Sequence, residues 1–405
     1  SFPVNAFMPS LGVGEISASL SARGSGLDIL SPNTAANISL DIENAEYLQK
    51  HYSGITADIS LENSHASGSV VSNNEAADFD IDLAAELSRQ GYSWDIDGHV
   101  NHLDLHALQL TPEANSGSVS LKSTGFMSAD AKNINAVATL TSIDWELGER
   151  QIYSKEASVE FATSDSATSA TLTTGDLLAR AASPVSLDSL LARIPLATAA
   201  IDTAIATKNI DIVALQRSLP QINVELNSGP SNFIAEYLAQ TGTSFKSAKA
   251  SFSNDSLISI SAGVLSLQAG DTRLDTISFG AVQHGKYLAY KGAVNNRPGT
   301  LDQFAHVNLT GFVADDKVAM LLSQKNISGE RGFLLGLNAA MTDSVATVRF
   351  VPYTPTIGYK KWELNKDNFI SYNFTTRHID ANLAMNSGNS IIRIFTEHVD
   401  GRPEE

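Results

Sequence analysis

The sequence predicts an all-β chain, and two observations carry the prediction. Apolar and polar residues alternate one for one in segment after segment, and turns rich in Gly, Asn and Ser separate those segments. Successive side chains of a strand point to opposite faces, so strict alternation makes a sheet with one greasy face and one wet face. A third observation bears on function: almost no catalytic-looking cluster accompanies the pattern. When most of a 405-residue chain reads this way, the greasy face is itself the candidate functional surface.

Residues 12 to about 174 read as nearly unbroken strand and turn. Ile16, Ala18, Leu20 and Ala22 share one face, opposite Ser17, Ser19, Ser21 and Arg23. Ile38, Leu40 and Ile42 alternate with Asn37, Ser39, Asp41 and Glu43. Ile55, Ala57, Ile59 and Leu61 repeat this against Thr56, Asp58, Ser60 and Glu62, and Phe79, Ile81 and Leu83 stand against Asp78, Asp80 and Asp82. Further strands are expected at Tyr92 to Ile96, Val119 to Leu121, Ile134 to Leu140 and Val159 to Phe161, with turns such as Ser72-Asn73-Asn74 and Asn115-Ser116-Gly117 between them.

The period changes between about 175 and 245. Leu187, Leu190, Leu191 and Ile194 sit at helical spacing after Pro184, and Pro195 is expected to limit that helix. Ile210, Val213, Ala214 and Leu215 form a short amphipathic turn or two before Pro220. The third helix has Ser231 as N-cap, Phe233, Ile234, Tyr237 and Leu238 on one stripe, and Gly242 as terminator.

Alternation resumes from about 246 to Phe395, with Ile258 and Ile260, Ile277 and Phe279, Val307 and Leu309, Leu383 and Met385, and Ile392 and Ile394. After Gly263 the apolar phase slips to Leu265 and Leu267, which predicts a bulge or bend at the glycine. Strand–turn units recur roughly every 12 to 20 residues, a repetition of pattern and not of letters. The expected organisation is a strand segment at 1–174, a helical interruption packed on the sheet at 175–245, and a strand segment at 246–405 continuing the same body.

Charge and composition narrow the role. Twenty-seven basic against forty-four acidic residues give a net charge of −17, which repels nucleic acid and an anionic membrane surface alike. Cysteine is absent, which excludes disulfides, thiolate metal sites and cysteine nucleophiles from these residues. No apolar run reaches the ~18 positions of a membrane span. The nearest, Ile194 to Ile201, lies between Arg193 and Asp202. The chain begins at Ser1 without Met and stops abruptly after Glu405, and so reads as an excised piece.

The concentrated ligand set is His99, His102, Asp104 and His106. On a helix these histidines could share a zinc ion, but the flanking alternation favours a strand. There His102 and His106 stand about 13 Å apart, too far to chelate one ion. Acidic pairs such as Asp80 with Asp82 and Asp95 with Asp97 could act on a glycosidic bond, yet they are simply the polar half of the alternation. Phosphate-binding, nucleophile-elbow and dinucleotide motifs are missing, so neither catalysis nor a cofactor or metal is expected. Asn-x-Ser/Thr occurs at Asn37, Asn254, Asn308, Asn326 and Asn373, as an Asn- and Ser-rich chain would produce without glycosylation.

Val351-Pro352-Tyr353-Thr354-Pro355-Thr356-Ile357-Gly358-Tyr359-Lys360, followed by Trp362 to Ile370, closely resembles a stretch of the TamB translocation and assembly module family, within the AsmA-like group. Asn227 to Asn232 and Arg273 to Phe279 are similar to that family's middle region. The specific similarity spans roughly residues 220 to 405, and none of its motifs is catalytic. The resemblance implies an elongated, curled β-sheet (a β-taco, or repeating β-groove) with an apolar floor, standing in the periplasm of Gram-negative bacteria. It further implies phospholipid as cargo and passage from inner to outer membrane. The parent protein would be held by an N-terminal inner-membrane anchor that these residues lack. A role in outer-membrane protein assembly with a barrel partner of the TamA or BamA type belongs to the same implication. The groove would be lined by the apolar sets named above: Ile38, Leu40, Ile42, Ile55, Ile59, Leu61, Phe79, Ile81, Leu83, Val119 and Leu121, then Ile258, Ile260, Ile277, Phe279, Val307, Leu309, Leu383, Ile392 and Ile394.

The physics accepts such a role. Exposing an acyl chain of about sixteen carbons to water costs on the order of 12 kcal/mol, and a continuous apolar surface removes most of that barrier. Two other architectures produce the same alternation. In a β-sandwich the apolar faces seal against each other. An extracellular β-solenoid that binds or degrades glycans also has long strand runs and Asn-rich turns. It usually carries an acidic or aromatic cluster on one solvent face, whereas Trp94, Trp145 and Trp362 are spread widely here. A third option is a scaffold that chaperones nascent barrel strands along an exposed sheet edge.

Overall fold

The structure, a computed structural model, describes residues 2–3, 13–47, 50–148, 150–299 and 302–396. The extreme ends of the first and last predicted segments lie outside these residues. The fold is all-β, an open and curled antiparallel sheet in each of two compact units. Unit 1 comprises Ser1–Leu187 with Ser231–Gln240, and unit 2 comprises Asp188–Pro230 with Thr241–Glu405. The expected helical stretch is therefore divided between the two units, and it also contains the strands Leu177–Ser183 and Asn223–Ser228.

In unit 1 the strands Val13–Ser25, Ala35–Tyr47, Ile55–Glu62, His65–Asn74, Ala77–Ser88 and Gly91–Asp104 follow one another, each paired antiparallel with the next. Asn115–Ser128, Ile134–Leu147, Arg150–Ser164, Ala167–Thr174 and Leu177–Ser183 continue the meander. Among the described residues no pairing joins the last of these strands back to the first, so the sheet does not close. Tight turns hold the register. Asn63 and Ser64, at φ 53° and 62°, form a two-residue hairpin between Glu62 and His65, the geometry whose twist matches the flanking strands.

Unit 2 repeats the plan. Asn223–Ser228 pairs with Ser247–Asn254, and Ile258–Ala269, Thr272–His284, Tyr287–Asn295, His306–Ala314, Lys317–Lys325, Arg331–Met341 and Val345–Ile357 follow in order. Phe369–Asn373, Ile379–Ser387 and Ser390–Phe395 complete it. Of the bulge or bend expected at Gly263, the bulge is absent, since its strand keeps one register with both neighbours, and the irregular backbone lies three residues on, at Ser266 with φ 52°. Leu265 and Leu267 instead sit off the main apolar row, and Leu265 is exposed.

Three helices interrupt the strands: α1 (Leu187–Thr207), α2 (Ile212–Ser218) and α3 (Phe233–Gln240). Pro195 does not end α1 but lies inside it. The ring removes one intrahelical hydrogen bond, and on an exposed helix water can satisfy the carbonyl left free. The 21 residues of α1 are long and apolar enough to cross a bilayer by length and composition, unlike the run the sequence suggested. Asp188, Arg193 and Asp202 lie along it, each expensive in hydrocarbon. Its end is tied to its own unit, where Lys208 Nζ donates to the Asp343 carbonyl at 3.2 Å and sits 4.3 Å from the Phe374 ring. Asp211 caps α2, accepting from the backbone N–H groups of Val213 and Ala214.

Candidate functional site

Register turns the scattered apolar residues of unit 1 into continuous rows, because directly opposed residues of a sheet share a face. Leu20 faces Leu40, and the row runs on through Ala57, Val70, Ile81, Gly98, Leu121 and Leu140 to Ala157. Beside it run Ala22, Ile38, Ile59, Gly68, Leu83 and Ile96, and on the other flank Ala18, Ile42, Ile55, Ser72, Phe79, Val100 and Val119. The opposite face carries Ser21, Ser39, Asp58, Ser69, Asp82, Asp97 and Lys122 in one row.

Unit 2 has its own rows. Phe252, Ile260, Ala281, Tyr290, Gly311, Met320, Leu337 and Phe350 form one; Ala262, Phe279, Gly292, Leu309, Leu322 and Leu335 form the next. Ile277 and Val307 belong to a third, through Val294. Tyr290 lies over Gly311 and donates its hydroxyl to the Ala319 carbonyl at 3.0 Å; burial pushes its pKa up.

Burial tells a sealed core from an open face. A sandwich would enclose these rows, yet Leu20 is 68% exposed, Ile38 39% and Phe279 41%. Ile59, Ile392 and Ile394 are likewise exposed. Leu40, Ile42, Ile55, Leu61, Phe79, Ile81, Leu83, Val119, Leu121, Ile260, Ile277, Val307 and Leu309 are half-buried. Two expected lining residues behave differently. Leu383 is enclosed in a local cluster with Trp362, Leu364 and Met385, against which Phe350, Ile357 and Ile370 pack. Ile258 is buried too, its N–H donating to Gln283 Oε1 at 3.0 Å. Both are packing residues, not open lining.

Not every concavity is greasy. Over the first strands of unit 1 a hollow of about 780 Å³ is lined by Ser21, Arg23, Asn37, Asp58, Ser69 and Asp82 together with Ile38, Ile59 and Leu83. The apolar cavity lies farther along, where α3 crosses the greasy face. It measures about 420 Å³ and is lined by Val119, Leu140, Ile143, Trp145, Ala157, Leu172, Thr174, Phe233 and Ile234. Of these, Val119 alone is among the lining residues expected from the sequence. The Phe233–Ile234 stripe is visible in the sequence, but nothing local says which face the helix lies on.

Two aromatic residues in unit 1 are set by glycine. Trp94 lies opposite Gly125 and Trp145 opposite Gly117, and a Cβ at either glycine would strike the indole. The Trp145 Nε1–H donates to Asn115 Oδ1 at 2.6 Å, which fixes the ring in the cavity wall.

The histidine set does not converge. His99 and His102 lie in the strand Gly91–Asp104, whose register shifts between Val100 and Leu103. His106 follows in a turn, with Nδ1 3.2 Å from the Thr111 carbonyl. Among the described residues no group of three or more His, Asp or Glu side chains could hold a metal ion. Asp82 and Asp97 face each other across the strands, with Lys122 beyond them.

In comparisons with known proteins, no family model, curated protein or solved structure matches this chain.

Proposed function

We propose that this chain is a non-enzymatic lipid carrier whose greasy sheet face conducts phospholipid acyl chains through the periplasm, between inner and outer membranes. The observation that carries the reading is the unbroken apolar row from Leu20 to Ala157, in register across successive strands, exposed at Leu20 and half-buried along most of its length, with Ile38 and Ile59 of the adjoining row exposed beside it. Such a row offers an acyl chain a path with no polar group to interrupt it. Each methylene kept off water is worth about 0.8 kcal/mol. Because the gain is spread along the row, no single position traps the cargo. The wet face, rich in Ser, Asp and Asn, keeps the body soluble meanwhile. The likeness of residues 220–405 to the TamB family supports the periplasmic setting, the inner-membrane anchor and a TamA- or BamA-type partner in outer-membrane protein assembly.

Photo-crosslinking tests this directly. Crosslinkers at Leu40, Ile81 or Ile260 are expected to capture phospholipid in cells, and those at Ser39 or Asp80 are not. Equal labelling of both sets would remove the proposal.

A further inference from the structure

At the cavity beneath α3 the greasy face of unit 1 is roofed, and the roof is fastened. Asp176 accepts hydrogen bonds from the Ser231 backbone N–H at 3.0 Å and from Asn232 Nδ2 at 2.7 Å, which ties the start of the helix to the turn after Ala167–Thr174. Asn232, 2% exposed, also caps the helix by accepting from the Ala235 N–H. At the far end Gln240 Nε2 donates to the Gln151 carbonyl at 2.8 Å, and the Arg150 guanidinium lies 6.0 Å from the Tyr237 ring. Held at both ends, α3 is a bar across the sheet, and Phe233 and Ile234 line the space under it.

The lining decides what fits there. Leu140, Ile143, Ala157 and Leu172 offer only hydrocarbon, and the indole N–H of Trp145 is already bonded to Asn115. A peptide strand would find no partner. At the cavity wall formed by Leu140 and Ala157 the sheet is paired on both sides: Ile134–Leu147 has partners on either flank except at the bulge of Ser142 and Ile143, and Arg150–Ser164 has them from Ala157 onward, so no free edge faces the space there. Peptide N–H and C=O groups pushed into this space would stay unsatisfied. About 420 Å³ lies within the range of small-ligand pockets. The cavity also shares Ile143 and Thr174 with a wet hollow of about 970 Å³ that includes Ser142, Asp144 and Glu156. A molecule with one hydrocarbon tail and one polar end can use both.

We propose that the cavity between α3 and the sheet holds a single alkyl chain of a fatty acid or phospholipid, so that α3 is a bar under which cargo is threaded. This rests on reading the greasy face as an acyl-chain surface, and adds a roofed passage along it.

Trp145 reports on the site from within. The full chain would be mixed with brominated stearic acid, and separately with vesicles of phosphatidylcholine brominated on its acyl chains, while tryptophan emission is recorded. Saturable quenching that disappears in Trp145→Phe is the expected result; quenching by the vesicles assigns the chain to phospholipid, and by the fatty acid alone to a free acid. Ala157→Phe, which fills the cavity, should abolish that quenching with strand content unchanged by circular dichroism. Wild-type emission unaffected by either probe, or quenching that persists undiminished in Trp145→Phe, overturns the proposal without recourse to any variant. Phospholipid capture at Leu40 and Ile260, away from the bar, is measured alongside. Its survival when Trp145 is not quenched would sink the threaded bar alone, and its loss would sink the carrier reading as well.

Discussion

Asn254 ends the strand Ser247–Asn254 with its side chain wholly enclosed, and its Nδ2 faces the carbonyls of Gln216, Leu219 and Pro220 at 3.1, 3.2 and 3.1 Å. The two N–H donors of one amide are thus shared among the three carbonyls at and just beyond the end of α2. The sequon at Asn254 is closed to glycosylation in the folded chain, since the acceptor nitrogen is buried. Asn254→Asp would turn a donor into a carboxylate pointed at three carbonyls. A stranded buried group costs about 1–3 kcal/mol, and more when charged, so a loss of at least ~2 kcal/mol in denaturant unfolding at neutral pH is expected. An unchanged midpoint would mean that this contact does not hold α2. Gly125 makes a second case. Any side chain there must displace the Trp94 indole, whose Nε1–H donates to Ser123 Oγ at 3.1 Å. Gly125→Val is expected to lower the melting temperature and shift Trp94 emission to the red, whereas Trp94→Phe made together with it should soften the loss.

At the scale of elements, the loop between Tyr287–Asn295 and His306–Ala314 is pinned by one carboxylate. Asp275, 6% exposed, accepts from the Arg297 backbone N–H at 2.6 Å and from its guanidinium at 3.3 Å. Asn296 completes the clamp, accepting from the Asp275 N–H and donating to the Phe304 carbonyl. The Arg297 backbone bond is the main reason that the Asp275 pKa lies below its ordinary value, with the guanidinium adding to it and burial opposing it. A depressed folded pKa stabilises the protein above the unfolded value, and the benefit is lost as pH falls through the folded one. Asp275→Asn should therefore melt below wild type at neutral pH, with the gap closing as the pH falls below the ordinary carboxylate range. A gap independent of pH would assign the effect to shape and not to charge. How much of such structure is legible in sequence depends on range. Alternation marks the strands around Ile38, Ile81 and Ile277 because period two is local. The break in α1 expected at Pro195 fails because an exposed helix tolerates what a buried one would not. The joining of Leu20 to Ala157 is set by register, hence by turns such as Asn63-Ser64, which no single segment reveals. Likewise α3 is held on the greasy face by residues far from it in sequence, Asp176 by 56 positions and Gln151 by 89.

Across the whole molecule, exposed apolar rows and excess negative charge belong to one design. Large open greasy faces invite association, and long apolar edges invite strand pairing between copies. Ser390–Phe395 is such an edge, with Ile391, Ile392, Ile394 and Phe395 all exposed. Against this stands a net charge of −17, from 44 acidic and 27 basic residues. The described side chains form few ion pairs: the Asp275–Arg297 clamp, and Lys132 with Asp165 at 3.9 Å. Most of the negative charge is therefore free to repel a neighbouring copy, over a Debye length of about 8 Å at physiological salt and about 3 Å at 1 M. Salt shortens that repulsion and leaves the greasy faces as they are. The chain should accordingly sediment as a monomer at low ionic strength and self-associate increasingly as sodium chloride is raised. Lipid-like detergent that covers the rows should reverse the association at constant salt. Were the rows sealed within the fold, salt would leave the sedimentation coefficient unchanged and detergent would have nothing to cover. Substituting Leu83→Arg sharpens the contrast, since a charge on the open row should weaken both self-association and lipid capture while strand content persists. Loss of the β-sheet signal in that variant would show instead that Leu83 holds up a closed core.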